Sequence, residues 1–241
     1  MVKIFIDLGH GGKDPGAVGY GMQEKVLTLK IALKIRDILQ SEYENVEIGM
    51  SRTTDVYLTL HERAKLANVW GADFLLSIHI NATPSGYGYE DIIFDGTVSQ
   101  RTVQIQNAIN PAVIKETGWH NRGKKRKNLQ VLRDSEMSAL LTESGFIDNP
   151  DDTKLLKDDT FLDKVARGHV NGIAEAFGLK RKMVAMDTPM KKEEDELIFS
   201  SPSLKAETEA HASWLDKLEN KTITDADVLG LAVKYTVAVN K

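Results

Sequence analysis

The chain has 241 residues, 41% hydrophobic and 27% charged, with no cysteine, an ordinary composition for a globular protein large enough to build a full core. Without thiols there are no disulfides and no thiolate metal ligands, so any metal site must use histidine and carboxylates. The net charge of −4 arises within residues 183–241, and the balanced remainder lacks the basic excess of a nucleic-acid-binding protein.

No apolar run reaches the roughly 20 residues of a membrane span. The opening stretch, MVKIFIDLGH, has no long apolar region or small-residue cleavage site, so a cytoplasmic chain without signal peptide or membrane insertion is expected.

Residues 2–8, VKIFIDL, alternate and predict a strand. Residues 24–41 carry Val26, Leu29, Leu33, Ile38 and Leu39 at helical spacing. A strand is expected over 46–52 and a helix over 58–72, closed by Gly71. DFLLSIHIN at 73–81 is a nearly continuous apolar run, as in a strand buried on both faces. Further strands are expected over 89–94, 128–133 and 138–146, with helices over 98–116 and 160–178. The basic run NRGKKRKN at 121–128 reads as a solvated loop, or as a patch that steers the protein toward anionic polymers. This alternation predicts an α/β fold, a mainly parallel twisted sheet covered by helices on both faces. It occupies residues 1–180. A charged linker follows over 181–196, then a small helical domain over 197–241, where Thr224 caps an apolar stripe of Val228, Leu229, Leu231 and Val233.

In an open α/β sheet, ligands bind at the carboxyl ends of the strands. The first strand ends at Asp7 and leads into IDLGHGGKDPGAVG, which contains His10. The 73–81 strand runs into His79 and Asn81, and the 138–146 strand carries Glu143. Each histidine alone has a bland reading, in a turn or as a satisfied core residue. Together at one sheet edge they suit a metal such as zinc. Glu24, opening the first helix, is the best third ligand, although a first-turn glutamate also suits the helix dipole. Glu143 sits in an apolar run, where a carboxylate is expensive unless paired or functional. Its functional reading is a general base and acid. The glycine cluster matches neither the P-loop nor the dinucleotide fingerprint.

The segments IDLGHGGKDPGAVG, EKVLTLKIALKI, SRTTDVYLTLHERAKLAN, LLSIHINA and LLTESGFIDNPDD, in this order, resemble the zinc-dependent N-acetylmuramoyl-L-alanine amidases of the amidase 3 type. The resemblance implies hydrolysis of the amide between muramic acid and L-alanine in peptidoglycan. It also implies zinc ligands His10, Glu24 and His79, and a catalytic Glu143. The family's Gly-x-Glu stretch is matched by Gly88 and Glu90, which makes Glu90, with Asn81, a candidate for substrate binding. Residues from about 197 resemble the C-terminal wall-binding domain of amidase endolysins from Bacillus and its phages, with a helical cap as the alternative. The implied partner is a Gram-positive, Bacillus-like wall, reached by an endolysin after a holin opens the membrane. Two other functions fit part of this pattern: a zinc endopeptidase cutting within the stem peptide, and a non-catalytic wall-binding protein.

Overall fold

The computed structural model describes residues 1–182; the C-terminal domain expected over 197–241, and the linker beyond Lys182, lie outside the described residues. In chain order the elements are β1 (Val2–Leu8), β2 (Val18–Gly19), β3 (Met22–Gln23), α1 (Glu24–Glu42), β4 (Val46–Met50), α2 (Leu60–Trp70) and β5 (Phe74–Asn81). Then come β6 (Tyr89–Phe94), α3 (Gln100–Thr117), β7 (Asn121–Lys127), α4 (Gln130–Arg133), β8 (Ser138–Phe146), α5 (Pro150–Lys157) and α6 (Asp159–Phe177).

Six strands form one sheet in the order β4-β1-β5-β8-β6-β7. The first four are parallel; β6 runs antiparallel to β8, and β7 is parallel to β6. The crossovers β1–α1–β4 and β4–α2–β5 run in opposite directions across the sheet. Right-handed crossing then puts their helices on opposite faces. Accordingly Leu27, Ile31, Ile35 and Leu39 of α1 join α3 and α6 over Ile4, Ile6, Leu76 and Ile78. Ala67 of α2 packs on the other face with Phe5, Leu75 and Leu141. The reversal of strand order lies between β1 and β5, and it opens a crevice at their carboxyl ends.

Local signals explain most boundaries. Thr59 and Glu62 form a reciprocal capping box at the start of α2, and Gly71 ends it in the left-handed conformation. Asp158 caps α6, and Gly178 closes it. The short helix α5, absent from the sequence expectation, starts at Asn149, whose side chain accepts from the N–H groups of Asp151 and Asp152, with Pro150 at its first position.

One strand is corrected. Residues 128–133 do not form a strand; Gln130–Arg133 is a single helical turn that buries both Val131 and Leu132 in the smaller core. The strand is instead the basic run, Asn121–Lys127, read from sequence as a loop. Among the described residues it lies at the sheet edge and pairs only with β6 through its backbone. An edge strand needs no apolar face, and its charges deter pairing with another sheet.

Candidate metal centre

The glycine-rich loop after β1 presents His10 in a left-handed conformation, with φ of 60°. Two buried arginines hold that loop. Arg63 donates to the carbonyl oxygens of Leu8, His10 (2.8 Å) and Leu58 (3.2 Å), and pairs with the fully buried Asp7 at 3.0 Å. Arg52 donates to the carbonyls of Gly9 (3.0 Å) and Lys25 (2.8 Å), tying the loop to α1. The glycines make room for the imidazoles. A Cβ at Gly9 would lie 2.4 Å from the His79 ring, and one at Gly16 would lie 2.6 Å from both His10 and Glu24.

His10, Glu24 and His79 converge. One ligand atom from each lies within 4.8 Å of the other two. Glu24 Oε2 is 3.0 Å from His10 Nε2, and Glu24 Oε1 is 2.9 Å from His79 Nδ1. Backbone fixes both oxygens: Ala17 N–H donates to Oε2 at 2.9 Å and Ile80 N–H to Oε1 at 3.0 Å. Burial disfavours the charged carboxylate, but the two histidines outweigh it and hold Glu24 far below the usual carboxylate range. Burial likewise works against the imidazolium of His10, yet Glu24 and Asp14 raise its pKa. Asp14 Oδ2 lies 2.8 Å from His10 Nδ1, so Nε2 is the nitrogen turned toward Glu24. Two imidazole nitrogens and one carboxylate oxygen are a donor set of catalytic zinc sites, and a carboxylate behind a ligating histidine is their usual support. The residues therefore suit zinc by chemistry and by arrangement.

Glu143 lies directly across from His79 in the β5–β8 register. Its Oε2 is buried and has no hydrogen-bond partner among the described residues. Burial pushes its carboxyl up to about 7; His79 opposes the shift and Glu24 adds to it. Glu90, on β6, lies across from Glu143 on the other side. Its buried carboxylate takes Arg122 Nε at 2.9 Å, Lys127 Nζ at 3.3 Å and Asn81 Nδ2 at 3.4 Å.

A family model described as N-acetylmuramoyl-L-alanine amidase matches residues 4–175. The chain belongs to the N-acetylmuramoyl-L-alanine amidase family. This amidase is 52% identical over 181 residues to the sporulation-specific N-acetylmuramoyl-L-alanine amidase of Bacillus subtilis, covering 75% of this chain and 70% of the relative. It is 46% identical over 183 residues to the endolysin of Bacillus phage SPP1, covering 74% and 67%. The catalytic domain of CwlV, an N-acetylmuramoyl-L-alanine amidase from Paenibacillus polymyxa, superposes with a TM-score of 0.70 at 32% identity, covering 75% of this chain and all of that domain. These likenesses favour the amidase over the endopeptidase and the non-catalytic module.

Of the six candidate residues, His79, Glu143 and Glu90 share one row of the sheet, Asn81 reaches Glu90 from two residues beyond His79, His10 comes from the loop after β1, and Glu24 opens α1. Sequence reasoning missed Asp14, Arg52 and Arg63. Asp14 is four residues after His10 and carries a local signal, whereas the arginines act across more than 40 residues of chain.

Proposed function

We propose that this amidase is a zinc hydrolase of Gram-positive peptidoglycan, with His10, Glu24 and His79 holding the ion and Glu143 moving the proton. The observation that carries the assignment is Glu143 Oε2, buried and unpartnered, opposite a histidine of the ligand cluster. When bound, zinc supplies Lewis acidity toward the scissile carbonyl and toward water. Glu143, ionised, takes a proton from the attacking water as its oxygen bonds to the lactyl carbonyl carbon. The C–N bond then breaks, and the same carboxyl returns that proton to the departing L-alanine nitrogen. Burial favours the protonated form of this carboxyl and the cations around it favour the ionised one, and a group that can hold either state serves both halves of this transfer. Asp14 keeps the His10 proton on Nδ1 and frees Nε2 for the ion.

The test is digestion of Bacillus peptidoglycan with and without a chelator, beside Glu143→Gln. New L-alanine amino termini without new reducing ends are expected. Loss on chelation is expected, and a fall of about 10²–10⁴-fold in the variant. Amino termini from elsewhere in the stem peptide would refute the bond assignment, and full activity in the variant would refute the role of Glu143. Action as an endolysin rests on the likeness to the endolysin of phage SPP1. Among the described residues no helix is long and apolar enough to cross a membrane.

A further inference from the structure

The register across four strands sets out a row. His79 on β5 faces Glu143 on β8, which faces Glu90 on β6. Arg122 on β7 falls at the register shift between the pairs Tyr89–Asn121 and Asp91–Lys124, opposite Glu90. Glu90 is 3% exposed, and its contacts with Arg122, Lys127 and Asn81 occupy both its oxygens. A carboxylate so engaged is poorly placed to bind a substrate. It is well placed to hold cations. Arg122 spends only Nε on Glu90, and its guanidinium lies 4.7 Å from the centre of the Phe146 ring. Its two Nη groups have no hydrogen-bond partner among the described residues, and its side chain is 31% exposed. Two cations against one carboxylate leave a positive charge beside Glu143.

We propose that Arg122, held by Glu90 and flanked by Lys127, binds a free carboxylate of the substrate, that of the second residue of the stem peptide. This rests on the amidase reading above. A guanidinium fork is matched to a planar carboxylate, and stacking on an aromatic ring orders it beforehand. The reach agrees. Strands lie about 4.8 Å apart, so a guanidinium folded back toward Glu90 sits roughly 5–10 Å from Glu143. Two residues of extended chain from the scissile bond span about 7 Å. Glu90 is then a positioning residue, and the basic edge strand contributes to specificity as well as to guarding the sheet.

The experiment compares two soluble muramoyl peptides, one with a free carboxylate on its second residue and one with that group as an amide, by release of L-alanine amino groups. The wild-type protein is expected to favour the free carboxylate by about tenfold in kcat/KM, the worth of a charge-assisted hydrogen bond. Arg122→Gln brings this ratio toward one through KM, and Arg122→Lys restores part of it. If Arg122→Gln fails to fold, Lys127→Gln, at a more exposed side chain, must still narrow the ratio. A wild-type ratio of one, or a ratio unmoved by these variants, overturns the proposal. Intact walls and walls stripped of phosphate polymers form a second arm. A defect confined to intact walls would overturn it in favour of a phosphodiester ligand. If neither peptide releases L-alanine amines, the amidase reading itself fails.

Discussion

Replacing Arg63 by methionine removes the charge that faces Asp7, which is fully buried and otherwise has only neutral hydroxyl partners among the described side chains, Ser77 Oγ at 2.7 Å and Ser51. Breaking a buried pair from one side costs about 3–5 kcal/mol, because a charge is left uncompensated. The carbonyls of Leu8, His10 and Leu58 lose a donor as well. Taking about 4 kcal/mol and a shift of about 2–4 °C per kcal/mol for a domain of this size, Tm should fall by roughly 8–16 °C. Thermal unfolding followed by circular dichroism measures this directly. Asp7→Asn combined with Arg63→Met should recover part of the loss, since the orphaned charge is gone. A fall of less than about 3 °C in the single variant would refute the reasoning, because the pair would then contribute no more than an exposed one.

Two further outcomes follow from the same geometry. Asp14→Ala should weaken zinc binding by about 10–100-fold while leaving the fold intact, measured by competition with a chromophoric chelator, because His10 loses the carboxylate that orients its ring. His169 is fully buried on α6, contacting the Val165 carbonyl at 2.7 Å and Thr142 Oγ1 at 3.1 Å, and burial lowers its pKa to about 4. The unfolded chain therefore binds the extra proton first as pH falls. Stability should be full above pH ~6.5 and should drop by about 3 kcal/mol on descending to pH ~4, a dependence that urea titrations should find flattened in His169→Gln.

Much of this was legible in the amino-acid sequence, for identifiable reasons. Strands β1, β5 and β8 are apolar runs long enough to declare themselves, and each ends at or carries a polar residue that has no business in a core. Topology gathers those residues, so His10, Glu24, His79 and Glu143 could be chosen together without knowing any distance. The edge strand β7 was illegible because seven residues that include five cations carry no hydrophobic alternation. Its pairing is a backbone matter. Residues 128–133 misled for the opposite reason: Asn128, Leu129, Gln130 and Val131 alternate like a strand, yet a single turn buries Val131 and Leu132 side by side. Arg52 and Arg63 were missed because most of their partners are carbonyl oxygens, which have no sequence signature, and the one carboxylate, Asp7, lies 56 residues from Arg63.

The backbone clasp on Glu24 has a consequence for how the proposed zinc would be taken up. Both carboxylate oxygens are fixed by N–H groups of Ala17 and Ile80, and His10 is fixed by Asp14. Zinc fingers are unfolded until metal arrives, because their ligands meet nowhere else. Here the proposed ligands are placed by a sheet edge and a helix start that the apolar core already holds, so folding should come first and loading second. Treatment with a chelator is then expected to leave the circular dichroism spectrum unchanged, and loss of the folded signal would refute this order.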